Sequence, residues 1–198
     1  MIKPYSEACE RNREPILSAI RPILSSCRAV LEIGSGTGQH AVYFAPEFPG
    51  LLWQTSDMAD MHAGIHAWLA EQRCSNILPP LTLDVYRDSW PATSYDAVFS
   101  ANTVHIMDWQ SVECLFAGIG RVLQPGGVFC LYGPFNYAGA YTSESNARFD
   151  AWLKARDPHS GIRDFEALQE LAEKAGMKLK EDYEMPANNR TLVWSKHS

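Results

Sequence analysis

The chain has 198 residues, of which 46% are hydrophobic and 20% are charged, an ordinary composition for one globular domain. These values exclude a disordered or fibrous chain. The 17 basic and 23 acidic residues give a net charge of −6 with histidine neutral, and no stretch concentrates lysine and arginine. Because nucleic-acid binding needs cationic side chains along the phosphates, we do not expect nucleic acid as a partner.

Cysteine usage and the first residues favour a reducing compartment. The five cysteines are dispersed and form no C-x-x-C pair, which argues against a disulfide framework and a structural zinc site. Residues 1–15 are polar, and no apolar run approaches the length of a membrane span. We therefore expect a cytoplasmic protein without a signal peptide, membrane association or bound metal.

Helices and strands alternate over the first two thirds of the chain. Residues 1–13 predict an irregular segment, and Pro15 is placed to open a helix in which Pro22 predicts a kink or a split. Short apolar runs then predict strands, and helical periodicity predicts helices between them. The expected strands are 29–33, 51–54, 81–83, 97–99 and 128–132, and the expected helices are 38–45, 61–72 and 112–123. This alternation is typical of a parallel sheet with right-handed crossovers.

The last third has a different pattern. Residues 133–163 are rich in Gly, Tyr, Asn and Ser, predict one helix around 147–154, and are expected to form an insertion that shapes a substrate pocket. Asp164 is placed to cap a further helix that ends at Gly176. Strands at 178–185 and 190–195 flank a turn and predict an antiparallel hairpin at the sheet edge. With no repeat or linker, we expect a single domain over 1–198.

A glycine turn after the first predicted strand is the clearest functional signal. Gly34, Gly36 and Gly38 have the spacing G-x-G-x-G, which permits a tight turn and close approach of a ligand to the backbone. The dinucleotide fingerprint requires its third glycine where this chain has Gln39, which argues against a nicotinamide oxidoreductase. Glu32, just before the loop, is poorly placed beside a phosphate and suits a cationic or amine-bearing ligand.

Carboxylates follow the next two predicted strands. Asp57 lies 21 residues after Gly36, the usual separation for a carboxylate that accepts both hydroxyls of a ribose. Asp84 follows the third strand, where a carboxylate can accept from an adenine amino group. The glycine loop and these carboxylates together predict an adenosine site.

These segments resemble those of a known class of enzymes. LEIGSGTGQ resembles motif I of the class I S-adenosylmethionine-dependent methyltransferases, and YDAVFSANTVHIM and RVLQPGGVFCLYGPF resemble their fourth- and fifth-strand motifs. More narrowly, ERNREPIL, SGTGQHAVYFA, WQTSD, HSGIRDFEAL and EMPANNRTLVW resemble the methyltransferase-like 26 family, a domain of unknown function. The matches extend from Tyr5 to Trp194.

The resemblance implies an α/β, Rossmann-like class I methyltransferase fold. Its sheet would have seven mostly parallel strands and a C-terminal antiparallel hairpin, with helices on both faces. The glycines would pass under the methionine part of S-adenosylmethionine, Glu32 would lie near its amino group, Asp57 on the ribose, and Asp84 with Val85 by the adenine. The expected cofactor-binding residues are Glu32, Gly34, Ser35, Gly36, Gly38, Gln39, Asp57, Met58, Asp84, Val85 and Asn102.

Two polar residues after the fourth strand are candidates for contact with the reacting groups. Asn102 and His105 lie at the carboxyl edge, where open α/β sheets bind ligands. We expect Asn102 to contact cofactor or substrate. His105 is the candidate for a general base or a substrate contact, and the alternative is a structural histidine at a helix start.

Two further groups are expected around the acceptor. Tyr5, Arg11 and Asn12 belong to residues 1–24, which on the resemblance fold over the site as a lid. Phe135 and Asn136 follow the fifth strand on the same edge and are expected to shape the acceptor pocket.

The predicted function follows from the chemistry of a sulfonium. Methyl transfer is an in-line displacement with an activated leaving group, so positioning supplies most of the catalysis. A general base is needed only when the acceptor must lose a proton. We expect methyl transfer from S-adenosylmethionine to a small-molecule acceptor, leaving S-adenosylhomocysteine. The alternative is a non-catalytic S-adenosylmethionine-binding module that acts through a protein partner.

Overall fold

The computed structural model describes residues 3–71 and 74–197. Its strands are β1 (Ala29–Ile33), β2 (Leu52–Asp57), β3 (Ile77–Thr82), β4 (Tyr95–Ala101), β5 (Leu123–Gly133), β6 (Phe135–Asn136), β7 (Arg163–Asp164), β8 (Met177–Met185) and β9 (Asn189–Lys196). Its helices are α1 (Glu7–Leu24), α2 (Gln39–Phe44), α3 (His62–Glu71), α4 (Trp109–Val122), α5 (Glu144–Arg156) and α6 (Phe165–Lys174).

Seven strands form one twisted sheet in the order β3-β2-β1-β4-β5-β9-β8. The first five strands of this order are parallel, and β9 is antiparallel to both β5 and β8. The predicted fold class, a mostly parallel seven-stranded sheet with a C-terminal antiparallel hairpin, is therefore confirmed. β6 and β7 form a separate short pair outside this sheet.

The two faces of the sheet are covered by different helices. Side chains alternate along β1, so that Leu31 and Ile33 join one core while Val30 joins the other. The first core is covered by the apolar faces of α4 and α6, and the second by α1 and α2. Both cores are closed by large, fully buried aromatics, among them Trp194 in the first and Trp53 in the second.

The first helix begins earlier than its sequence predicts. α1 starts at Glu7, so the expectation of an irregular segment to residue 13 and of a helix opening at Pro15 is wrong. Ser6 is the cap, because its Oγ accepts a hydrogen bond from the Cys9 N–H at 3.3 Å. The helix continues through both Pro15 and Pro22 without a split, its apolar side held against the second core.

The third strand is also longer than predicted. β3 runs over Ile77–Thr82 and contains Pro79 and Pro80, although proline lacks the N–H that a ladder uses. It is tolerated because β3 lies at the edge of the sheet and pairs only with β2. The polar groups of this edge are partly satisfied from β2, where the Gln54 amide donates to the Pro79 carbonyl at 2.7 Å.

Candidate functional site

The glycine loop joins β1 to α2 at the carboxyl edge of the parallel strands. Gly34, Gly36 and Gly38 all have left-handed backbone, with φ of 70°, 59° and 87°. A Cβ on Gly34 would lie 2.5 Å from the Thr103 Cγ2, and one on Gly38 would lie 3.2 Å from the Ile65 Cα. The first and third glycines are therefore required by packing as well as by conformation. The equivalent position on Gly36 meets only the Gly34 carbonyl, at 4.0 Å, so this side of the loop is open.

Glu32 is a carboxylate buried directly beneath this loop. Its side chain is 2% exposed, and its Oε2 accepts from the Ser35 Oγ at 2.9 Å and the Trp53 Nε1 at 3.0 Å. Burial raises the pKa of Glu32 to about 7, against the opposing effect of these hydrogen bonds. A neighbouring cation would favour its ionised form.

Asp57 closes the loop from the end of β2. Its Oδ2 accepts from the Gly36 N–H at 2.7 Å, and its Oδ1 accepts from the Met58 N–H at 2.8 Å. Each carboxylate oxygen keeps a second lone pair with which it can accept from a ligand hydroxyl. Burial raises the pKa of Asp57, and the two amide contacts act against that rise. The side chain of Met58 is half exposed beside it.

Asp84 lies next to Asp57 because the chain leaves β3 beside the end of β2, where the Leu83 N–H donates to the Asp57 carbonyl at 3.0 Å. Its Oδ1 accepts from the N–H groups of Tyr86 and Arg87, so the carboxylate also stabilises its own turn. Val85 is buried, while Asp84 remains partly accessible.

Asn102 stands at the carboxyl end of β4 in left-handed backbone, with φ of 60°. This conformation is uncommon for a residue with a side chain, and asparagine tolerates it better than most. Its N–H donates to the Tyr132 carbonyl at 2.9 Å, which ties it to the end of β5. The Ser100 Oγ donates to the Ile33 carbonyl and contacts the Thr103 Oγ1, so this turn is also fixed to the glycine loop.

His105 is 5% exposed and packs edge-to-face on Phe149, with ring centroids 5.4 Å apart. Among the described residues, its Nδ1 has no hydrogen-bond partner. Burial, with a smaller contribution from the Arg163 charge, lowers the pKa of His105 to about 4. The imidazole is therefore neutral at pH 7.

The segment before α1 contacts the start of α2, directly after the glycine loop, and also α3. The Gln39 amide holds Ser6 at both backbone groups, since its Oε1 accepts from the Ser6 N–H at 2.6 Å and its Nε2 donates to the Ser6 carbonyl at 3.3 Å. Two residues before Ser6, the Pro4 carbonyl accepts a hydrogen bond from the Trp68 Nε1 of α3 at 2.6 Å. Residues 3–6, which we call the strap, therefore connect α2 with α3, and the side chain of Tyr5 is 60% exposed on it.

Asn12 is anchored from α2 through a contact that the sequence analysis did not identify. Its side chain is 7% exposed, and its Oδ1 lies 2.7 Å from the His40 Nε2. Burial lowers the pKa of His40 to about 4, so the ring is neutral and its Nε2–H donates to Asn12. Arg11, one residue earlier, lies on the exposed side of α1 and pairs with Glu7 at 3.1 Å.

The segment 133–163 is organised around a buried carboxylate. Asp150 is 2% exposed and accepts from the Tyr141 hydroxyl at 2.6 Å, the Lys154 Nζ at 2.6 Å and the Ile162 N–H at 2.7 Å. The Arg163 guanidinium donates to three backbone carbonyls, which fixes the turn after β4 against this segment. Neither residue was singled out from the sequence, because their roles depend on contacts between distant parts of the chain.

A cavity of about 630 Å³, which we call the α1–α5 cavity, opens beside Asn102. Its walls come from α1, the residues after β4 and β5, the start of α5, and the hairpin turn between β8 and β9. Arg11, Asn12 and Asn102 line it. Phe135 and Asn136 are buried but do not line it, whereas Pro134 and Phe149 do. The volume is that of a small-molecule site.

Metal binding and membrane insertion concern other features of the described residues, 3–71 and 74–197. No group of three or more His, Cys, Asp or Glu side chains there is placed to hold a metal ion. No described helix is both long and apolar enough to cross a membrane.

The fold is that of the class I methyltransferases. An O-methyltransferase family protein from Burkholderia thailandensis superposes with a TM-score of 0.85 at 14% identity, covering 97% of this chain and 58% of that one. Human N-acetylserotonin methyltransferase, solved in complex with S-adenosylmethionine, gives a TM-score of 0.80 at 17% identity, covering 97% of this chain and 53% of the human chain. This chain therefore spans little more than half the length of these proteins.

Sequence comparison gives the family. Residues 3–196 match the family described as "Protein of unknown function (DUF938)", and the chain belongs to this family. The non-reducing polyketide synthase ausA of Emericella nidulans is 33% identical over 109 residues, which are 52% of this chain and 4% of the synthase. The narrower resemblance to the methyltransferase-like 26 family stays a prediction.

Proposed function

We propose that the protein is an S-adenosylmethionine-dependent methyltransferase that acts on a small-molecule acceptor. The observation that carries the proposal is the closure of a left-handed glycine loop on Asp57 at the carboxyl edge of parallel strands. Open α/β sheets bind their ligands at this edge. The α1–α5 cavity provides an adjoining space for a second ligand.

The residues around the loop have the chemistry that this cofactor requires. Gly34, Gly36 and Gly38 would carry its methionine part across an open backbone surface, with Ser35 and Gln39 on either side. Glu32 would compensate its ammonium group from below, and Asp57 would accept from its ribose hydroxyls through the remaining lone pairs. When bound, the cofactor supplies an activated methyl group.

The adenine would lie between the ends of β2 and β3. Asp84 would accept from its amino group, with Val85 and Met58 as apolar neighbours. Asn102, where the loop edge meets the cavity, would contact cofactor and acceptor alike.

The N-terminal strap and α1 would form the lid of this site. Tyr5 lies on the strap, and Arg11 and Asn12 face the cavity from α1. Phe135 and Asn136 would support the far wall from behind the lining residues. His105, whose lowered pKa makes it a weak base at pH 7, fits a position that supports Phe149 behind the cavity wall better than proton abstraction.

The test is calorimetric binding of S-adenosylmethionine and S-adenosylhomocysteine, with NAD as the control ligand. Asp57→Ala removes the acceptor of the ribose hydroxyls, and hydrogen bonds to a charged group are each worth about 1.5–3 kcal/mol. We therefore expect affinity to fall by about tenfold or more. Asp60→Ala is the matched control, because Asp60 is an exposed carboxylate on the same turn.

Binding of NAD in place of both adenosyl ligands would overturn the proposal. Tight binding without methyl transfer to any amine, phenol, thiol or carboxylate would instead favour a module that acts through a protein partner.

A further inference from the structure

The walls of the α1–α5 cavity combine flat apolar surfaces with neutral amides. Pro15, Pro134, Pro186 and Phe149 supply the apolar part, and four asparagines supply most of the polar part. Among the described residues that line the cavity, none has a carboxylate, an imidazole or an amine side chain. Nothing in the lining would therefore compensate a cationic acceptor or remove its proton.

The polar groups that face the cavity from α1 are hydrogen-bond donors. Because the Oδ1 of Asn12 is taken by the Nε2–H of His40 and its amide nitrogen also interacts with Tyr132, one amide N–H is the part of Asn12 left for a ligand. Arg11 is the one charged side chain among the described lining residues. Its ion pair with Glu7 uses a single terminal nitrogen at an exposed position, and pairs of this kind contribute about 0–1 kcal/mol. Replacing Glu7 by a ligand anion as the ion-pair partner of Arg11 therefore costs little free energy.

Tyr132 adds a hydroxyl to the same wall. Burial raises the pKa of Tyr132, and the side chains of Asn12 and Asn189 act against that rise without reversing it. The phenol therefore stays protonated at neutral pH and donates rather than acting as a base. The part of the lining formed by Arg11, Asn12 and Tyr132 thus offers donors and one cation, whereas the amide N–H groups of Asn146 and Asn189 are donated within the protein. The donor part suits an acceptor that arrives already ionised.

We propose that the acceptor is a small organic carboxylate, held by Arg11 and Asn12 and methylated on a carboxylate oxygen. The inference rests on the proposed function, which supplies the sulfonium methyl donor. A carboxylate oxygen forms the new bond to the methyl carbon while the carbon–sulfur bond breaks and its electron pair returns to sulfur. The negative charge of the acceptor and the positive charge of the sulfonium cancel, and no proton is released. This chemistry needs no base, in agreement with the composition of the walls.

The test uses binding and product analysis together. Aromatic and aliphatic carboxylates, each paired with its primary amide, are titrated calorimetrically into the protein saturated with S-adenosylhomocysteine. In parallel, 4-hydroxybenzoate is incubated with S-adenosylmethionine, and mass spectrometry separates its methyl ester from its methyl ether. We expect carboxylates to bind at least about tenfold more tightly than their amides, and we expect the ester.

The variant Arg11→Gln tests whether the Arg11 guanidinium binds the carboxylate of the acceptor. It should reduce carboxylate affinity by about tenfold or more and leave S-adenosylhomocysteine affinity within about twofold. Arg13→Gln is the matched control, because Arg13 lies on the same helix, pairs with Glu10 and is not among the lining residues. It should change neither affinity.

The inference is overturned if no carboxylate binds better than its amide, if Arg11→Gln leaves the preference intact, or if 4-hydroxybenzoate yields the ether. Failure of S-adenosylhomocysteine itself to bind would refute the proposed function instead, so the two failures are distinguishable.

Discussion

Burial of Glu32 makes the stability of the folded chain depend on pH in an unusual direction. Most native carboxylates are stabilised in their ionised form, so that stability falls on acidification. Glu32 is 2% exposed, and its pKa rises from an ordinary 4.5 to about 7. Between these values the native protein holds a proton that the unfolded chain has released. The contribution of this residue to stability therefore falls as pH rises through the interval.

The magnitude follows from the width of the interval. A pKa difference of one corresponds to about 1.4 kcal/mol, so the interval from 4.5 to about 7 corresponds to about 3 kcal/mol. Glu32→Gln keeps a carbonyl oxygen that can accept from Ser35 and Trp53 but cannot ionise. The substitution should remove the part of the pH dependence of stability that comes from Glu32. Relative to the parent chain, the variant should therefore become more stable by about 3 kcal/mol between pH 4.5 and pH 8.

The assay is urea unfolding monitored by tryptophan fluorescence at pH values from 4.5 to 8. Glu170→Gln, at an exposed position of α6, controls for the loss of one carboxylate from the chain. The difference in unfolding free energy between parent and Glu32→Gln should change with pH, and the corresponding difference for Glu170→Gln should not. A constant difference across the range for Glu32→Gln would refute the argument that burial holds a proton on this residue.

Two further substitutions test the packing of the site. Gly34→Ala should lower the unfolding free energy by about 2–4 kcal/mol, since its Cβ meets Thr103 at 2.5 Å in left-handed backbone. Gly126→Ala, with φ of 77° and no atom within 4 Å, should show only the conformational part of about 1–2 kcal/mol, and equal losses in urea unfolding would contradict the steric argument. Gln39→Leu should release the strap by leaving the Ser6 N–H unpaired and removing one of the two donors to the Ser6 carbonyl, which hydrogen exchange at the Ser6 amide measures. Unchanged protection there would show that other contacts hold the segment.

Much of the fold can be predicted from local patterns. The apolar runs of β1 and β4 are short, buried and bounded by turn signals, so their positions follow from composition alone. The sheet edge reached by the glycine loop also follows, because a strand that runs into glycines and then a helix has one usual geometry in α/β proteins.

The missed element boundaries have a common physical reason. Pro15 is typical of a helix start, yet α1 begins at Glu7 because Ser6 provides a cap and the apolar face packs on the second core. Pro79 and Pro80 argue against a strand unless its place at the sheet edge is known. In each case tertiary position overrides a local preference.

In the candidate site, too, some features can be predicted from the local sequence and others depend on the assembled fold. The positions of Glu32 and Asp57 at the glycine loop follow from spacing along the chain. The clamp of Gln39 on Ser6 and the bond between His40 and Asn12 do not, because their partners are separated by 33 and 28 residues. Only the assembled fold brings these pairs together.

The α1–α5 cavity is built from five stretches of chain, at α1, the ends of β4 and β5, the first half of α5 and the turn at 186–189, and the glycine loop belongs to none of them. Substitutions at the hairpin turn, where Ala187 and Asn188 both have positive φ, can therefore reshape the cavity while the loop on β1 keeps its sequence. If the proposed function holds, the acceptor specificity could change by substitution at this turn while the residues of the glycine loop stay the same. Members of one family could therefore differ in acceptor because of substitutions at the turn 186–189 alone.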